Sequence, residues 1–76
     1  MATGNRNDLE LRAITVSARS ALRHANSPDD DERIRTLATE LLARLEERVI
    51  RNGGDPELLE QIEAGRRTLW ADAPTD

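Results

Sequence analysis

Few residues in this chain have side chains suited to covalent or metal chemistry. His24 is the single histidine, and there is no cysteine. A zinc site built on His24 would depend on carboxylates for its other ligands. A serine nucleophile would need a second histidine or a lysine as its base, yet all eleven basic residues are arginine. We therefore expect no enzymatic activity, no metal site and no cofactor, and we interpret His24 as a polar residue near a helix end.

Four consecutive acids, residues 29–32, form the densest charge cluster of the sequence. A calcium loop spaces its ligands more widely around a central glycine, which this cluster lacks. The acids instead follow Ser27 and Pro28, which suit the N-cap and the first position of a helix. Acidic side chains are favoured there because the helix dipole is positive at its N-terminus. The cluster predicts a helix start and not a cation site.

The segment RNGGDPELL, residues 51–59, has glycines that a phosphate-binding loop could use. A P-loop would carry a lysine after them, and here Asp55 and Glu57 would repel an anion. Gly53 and Gly54 suit the left-handed end of a helix, whereas Asp55 and Pro56 suit the start of the next one. We interpret the segment as the turn of an antiparallel helical hairpin.

The spacing of apolar residues predicts an all-α fold in one domain, 1–76, with helices at about 8–25, 28–52 and 56–71 and a disordered tail, 72–76. Apolar residues recur three and four positions apart in each helix. These stripes comprise Leu11, Ile14, Ala18, Ala21 and Ala25; then Ile34, Leu37, Ala38, Leu41, Leu42, Leu45 and Val49; then Leu58, Ile62, Gly65 and Leu69. We expect the second and third helices to form a hairpin on which the first packs back.

The core available to a chain of 76 residues is small. Its large apolar residues are ten Leu, four Ile, two Val, one Trp and one Met, without Phe or Tyr. Burial at about 25 cal/mol per Å² of such a core roughly balances the entropy of ordering the chain. We therefore expect a second copy, in a dimeric helical bundle, or another protein to bury more apolar surface. Whether the first helix packs in its own chain or swaps into another copy stays open.

The net charge of −4 is unevenly distributed. Residues 1–26 carry four Arg against two acids, whereas residues 53–76 carry two Arg against six acids. The N-terminus, MATGNRNDLE, lacks the basic and apolar regions of a secretory signal, and no apolar run of about 18 residues occurs. We expect a cytoplasmic protein without membrane contact, and the use of Arg alone favours a bacterial or phage source.

These features favour a non-catalytic helical module for protein–protein interaction, such as a small adaptor, chaperone or inhibitor. The interface candidates are Leu11, Ile14, Leu22, Ile50, Leu59 and Trp70. Trp70, the lone aromatic residue, either covers the core or anchors an interface. Gly65 costs about 1 kcal/mol within a helix relative to Ala, so we interpret it as the site of a close helix crossing.

The alternative function is a small nucleic-acid-associated regulator or an antitoxin-like protein. Its phosphate contacts would be Arg12, Arg19 and Arg23, which lie along one side of the first helix. Such a protein binds duplex DNA with an affinity that falls steeply as salt rises. The acids at the start of the third helix argue against a recognition helix at that position.

Overall fold

The computed structural model describes residues 6–71, and within that range every regular element is an α-helix. Helix α1 spans Arg6–Arg23, α2 spans Pro28–Arg51 and α3 spans Pro56–Ala71. The predicted all-α class with three packed helices is confirmed. Helix α1 begins and ends two residues earlier than the sequence suggested. The expected disordered tail, 72–76, lies outside the described residues.

The turn between α1 and α2 is built from local hydrogen bonds. His24 N donates to the Ala21 carbonyl at 3.1 Å, which tightens the last turn of α1. Ser27 has an extended backbone, and its Oγ accepts a hydrogen bond from Asp30 N at 3.2 Å. Pro28 occupies the first helical position. The acidic cluster therefore lies in the first turn of α2, where the helix dipole favours it.

The turn between α2 and α3 depends on two glycines with positive φ. Gly53 has φ 120° and Gly54 has φ 68°, a conformation that residues with a Cβ rarely adopt. Gly54 N donates to the Val49 carbonyl at 2.8 Å and so satisfies one of the last carbonyls of α2. The carboxylate of Asp55 accepts from Glu57 N at 3.1 Å and caps α3. The segment ends one helix and starts the next.

The hydrophobic core lies between α2 and its two neighbours. Its buried residues are Leu11, Leu42, Leu45, Val49, Leu58 and Ile62, and its partly buried residues are Ile14, Leu59 and Leu69. Helix α1 packs back on the hairpin, chiefly against α2. Because α2 is antiparallel to both neighbours, α1 and α3 run parallel. Within residues 6–71, none of the three helices combines the length and the apolar composition that a membrane-spanning helix requires.

Helix α2 differs from its predicted pattern in two respects. Leu37 and Leu41 belong to the predicted apolar face, yet 57% and 40% of their surface is exposed. The face is wider than α1 and α3 can cover, because each of these helices packs along its own side of α2. Arg35, which the sequence pattern did not single out as buried, is only 5% exposed.

Candidate functional site: two grooves beside the first helix

The first of two grooves beside α1 lies between α1 and α2, and we call it the apolar groove. It has a volume of about 330 Å³. Its α1 wall is made mostly of small residues, Ala13, Ser17, Ala18 and Ala21, together with Ile14. Its α2 wall is Ile34, Leu37 and Leu41. One carboxylate, that of Glu10, lies at its edge and is ion-paired with Arg48 of α2.

Exposed apolar side chains continue this surface along α1. Leu9 and Val16 are both more than half exposed. Each lies about one helical turn from Ala13, so the three share one side of α1. The apolar groove and these two side chains form a continuous apolar surface across α1 and α2.

The second groove lies between the C-terminal halves of α1 and α3, with α2 as its floor, and we call it the arginine groove. Its volume is about 590 Å³. Arg19 and Arg23 of α1 line one side, and Arg35 and Asp31 of α2 line the floor. The apolar part of its lining comprises Ile14, Ala18, Leu22, Ala38, Leu42 and Leu69. It combines a partly apolar interior, with Arg35 and Asp31 on the floor, and a basic edge.

Arg35 connects the floor of the arginine groove to the end of α3. Its Nε donates to Asp31 Oδ1 at 2.6 Å, and its Nη1 donates to the Leu69 carbonyl. The last carbonyls of a helix have no partner within the helix, and α3 has no basic residue in its last turn. The guanidinium of Arg35 therefore supplies from α2 the positive charge that the C-terminus of α3 lacks.

Trp70 is held against α2 by a hydrogen bond beside this network. Its Nε1 donates to Thr39 Oγ1 at 2.9 Å, and Thr39 Oγ1 donates to the Arg35 carbonyl at 2.8 Å. The indole remains 40% exposed. Trp70 thus joins α3 to α2 at the surface and does not close the core.

The six interface candidates lie in different surroundings. Leu11 is buried in the chain's own core, against which Ile14 and Leu59 are packed. Leu22 is half-buried in the arginine groove. Ile50 is exposed near the C-terminus of α2, whereas Trp70 contacts Thr39. Thr39 and Ile50 are separated by about 16 Å along α2 at 1.5 Å per residue, so the structure does not bring these candidates together.

The three candidate phosphate contacts are all on the surface. Arg12, Arg19 and Arg23 are exposed, and none forms an ion pair with another residue of the described range 6–71. Arg19 and Arg23 line the arginine groove, whereas Arg12 lies outside it. His24 is exposed just beyond α1. Within the described residues no group of three or more His, Asp or Glu side chains is placed to hold a metal ion.

Two features of these grooves were visible in the sequence without being recognised. Ile34, Leu37 and Leu41 form a second apolar stripe beside Ala38, Leu42, Leu45 and Val49. In this structure α1 and α3 bury the stripe of Ala38, Leu42, Leu45 and Val49 and leave Leu37 and Leu41 exposed. Arg35 precedes Ala38 by three residues and Leu42 by seven, which are the spacings of the buried stripe.

Comparison with known proteins identified no relative of this chain. No protein-family model matches the chain, and no curated protein or solved structure shows significant similarity to it.

Proposed function

We propose that this protein is a non-catalytic helical module for protein–protein interaction and that its apolar groove docks a second copy of the chain. The observation that carries this proposal is the exposure of Leu37 and Leu41 beside a wall of small residues. An apolar surface of this kind on a small domain is typical of an interaction site. Accessory proteins such as adaptors, chaperones or inhibitors act through such surfaces.

The shape of the surface supports a second copy as the occupant. Leu37 and Leu41 form a ridge on α2, and Ala13, Ser17 and Ala21 form a shallow wall on α1. A two-fold axis places the ridge of each copy against the wall of the other, since an isologous interface uses the same patch twice.

The charges of α2 favour the same arrangement. Leu37 and Leu41 lie on either side of the midpoint of α2, which spans Pro28–Arg51. A two-fold axis at that midpoint makes the two α2 helices antiparallel. The acidic first turn of one copy then lies near the basic last turn of the other, which contains Arg48 and Arg51. The helix dipoles are also opposed in this arrangement.

The amount of exposed apolar surface sets the expected strength of the dimer. Full burial of a leucine side chain contributes about 1.5–3 kcal/mol, so burying the exposed halves of Leu37 and Leu41 in both copies contributes on the order of 4 kcal/mol. Leu9 and Val16 add a similar amount. Association costs at least about 4 kcal/mol in lost rigid-body freedom. The difference is about 4 kcal/mol, so we expect a weak, concentration-dependent dimer with a Kd on the order of 1 mM.

Sedimentation velocity over a dilution series tests this proposal. The unmodified chain should shift from monomer to dimer as its concentration rises, and Leu37→Ser combined with Leu41→Ser should leave only monomer. Ile50→Ser is the matched control, because Ile50 is on the same helix, is 57% exposed like Leu37 and lies outside both grooves. Circular dichroism should show the same helicity for all three proteins.

Two results would contradict the proposed dimer. A chain that stays monomeric at millimolar concentration would leave the apolar groove to a different protein. A dimer that survives the two serine substitutions but dissociates with Ile50→Ser would place the interface at the C-terminal end of α2.

We propose nucleic-acid binding as a second candidate function, because Arg12, Arg19 and Arg23 are exposed and form no ion pair among the described residues. Titration of a short duplex DNA into the protein at about 20 mM salt would test it by fluorescence anisotropy. Binding that weakens linearly with the logarithm of salt concentration would favour this function. No binding at low salt would exclude it. Arg12→Gln should weaken DNA binding as much as Arg19→Gln if phosphates are contacted along α1.

A further inference from the structure

We propose that the arginine groove binds an anionic amphiphile, which is a carboxylate or phosphate group attached to an apolar chain. This inference does not depend on the dimer proposed above, because the exposed residues that carry it, Arg19 and Arg23, do not line the apolar groove, although Ile14, Ala18 and Ala38 line both grooves. The groove has a volume of about 590 Å³, within the range of about 300–1,000 Å³ that is typical of small-molecule sites. Its lining is more apolar than polar, the buried Arg35–Asp31 ion pair lies on its floor, and two exposed arginines, Arg19 and Arg23, lie at its edge.

The groove extends along the C-terminal half of α1. The part of α1 that lines it runs from Ile14 to Arg23, which is about 14 Å of helix. A single alkyl chain is narrow enough to lie along this length and contact the apolar residues between α1 and α3.

The charges at the edge of the groove identify the sign of the ligand. Arg19 and Arg23 lie one helical turn apart and form no ion pair with any described residue. The acid in the groove lining, Asp31, is paired with Arg35 at 2.6 Å. An anionic head group at this edge therefore meets two available guanidinium groups, which bind carboxylate and phosphate through charge-assisted hydrogen bonds. In a chain with a net charge of −4, this edge is a local region of positive charge.

The apolar side chains below this edge would hold the tail of the ligand. Ala18, Ala38 and Gly65, which line the groove, are small and leave its interior open. Leu22 and Leu69 are only half-buried and offer apolar surface to the groove. Because Arg35 caps α3 through the Leu69 carbonyl, the floor of the groove is held in place.

The test uses the full chain and dodecanoate below its micelle concentration. Trp70 is the single tryptophan and directly follows Leu69, so its fluorescence should report binding. We expect saturable binding of one dodecanoate per chain. Amide chemical shifts should change for Ala18, Leu22 and Leu69. Arg19→Gln combined with Arg23→Gln should weaken binding about tenfold, since two charge-assisted hydrogen bonds are lost.

Three controls make the result specific. Arg12→Gln removes an exposed charge from the same helix outside the groove and should leave binding unchanged. Dodecyltrimethylammonium has the same tail with a cationic head and should bind at least tenfold more weakly than dodecanoate. Acetate and inorganic phosphate have anionic heads without a tail and should also bind at least tenfold more weakly.

Several outcomes would overturn the proposal. Equal binding of dodecanoate and dodecyltrimethylammonium would mean that the arginines do not select for the charge of the head group. Tight binding of inorganic phosphate alone would mean a simple anion site without a role for the apolar interior. Chemical shift changes centred on Leu37 and Leu41 would place the ligand in the apolar groove. Unchanged affinity in the variant that lacks Arg19 and Arg23 would show that these two arginines do not bind the head group.

Discussion

The apolar groove and the arginine groove share α1 and α2 but have different relations to the fold. The exposed leucines of the apolar groove, Leu37 and Leu41, lie outside the core cluster. The floor of the arginine groove includes Leu42, which is in the core, and Arg35, which holds the end of α3. Exposed residues outside the core can bind a partner without being needed for stability. In a groove lined by core residues, only the residues at the edge can be substituted without destabilising the fold.

The largest change in the free energy of unfolding is expected for a core leucine, compared with the adjacent leucine of the apolar groove. Leu42 is 1% exposed, and Leu42→Ala should lower the free energy of unfolding by about 2–5 kcal/mol because it leaves a cavity in the core. Leu41→Ala makes the same change in the apolar groove and should cost less than about 1 kcal/mol. Urea unfolding at low protein concentration measures both values for the monomer. Similar losses for the two variants would show that the apolar groove does stabilise the fold.

Arg35 allows a second test, on the floor of the arginine groove. Arg35→Ala should lower the free energy of unfolding by about 2–4 kcal/mol, because it leaves the Asp31 carboxylate and the Leu69 carbonyl without their donor. Arg33→Ala removes an exposed arginine from the same turn of α2 and should change stability by no more than about 0.5 kcal/mol. Thermal unfolding followed by circular dichroism compares the two. An Arg35→Ala protein as stable as the Arg33→Ala control would show that Arg35 does not stabilise the packing of α3 on α2.

Gly65 tests how closely α1 and α3 approach beside the arginine groove. A Cβ added at Gly65 would meet Thr15 Cγ2 at 3.5 Å, an ordinary van der Waals distance. Gly65→Ala should therefore stabilise the protein by about 0.5–1 kcal/mol through helix propensity, without changing its assembly. That gain would mean that the close crossing expected from the sequence does not require glycine here. A loss of stability in thermal unfolding would instead show that the two helices are in tighter contact.

The smallest effect is expected at the hydrogen bond between Trp70 and Thr39. Thr39→Val removes the acceptor of Trp70 Nε1 and keeps the branched side chain. Because the indole is partly exposed, water can replace the hydroxyl, and the loss should be about 0.5 kcal/mol. The emission of Trp70 should also shift to longer wavelength as the ring moves into solvent. Thr36→Val, at an exposed position of the same helix, should change neither quantity.

The local features of the fold could be predicted well from the sequence. Ser27, Pro28 and Asp55 stand where the structure has helix starts, and the glycines at 53 and 54 stand where α2 ends. Such signals are reliable because a cap depends on only a few neighbouring residues and their backbone hydrogen bonds. The stripes on α1 and α3 were likewise identified, because the helical period alone decides which residues share a side.

The two grooves could be predicted only in part. The sequence placed seven apolar residues on one face of α2 and three arginines on one side of α1. It did not show that Leu37 and Leu41 are exposed or that Arg19 and Arg23 lie beside an apolar groove. It also selected Leu11 as an interface candidate, although that side chain is buried in the core. An apolar stripe has the same pattern whether its own chain or a partner covers it.

The sequence by itself determined the helical class, the two turns and the side of each helix that is apolar, because these depend on backbone hydrogen bonding and on a period of 3.6 residues. Tertiary structure alone decided which part of the wide α2 face is covered, since α1 and α3 can each cover only the strip they pack against. It also decided the burial of Arg35, because the Leu69 carbonyl lies 34 positions away in the chain and comes near only when α3 packs on α2.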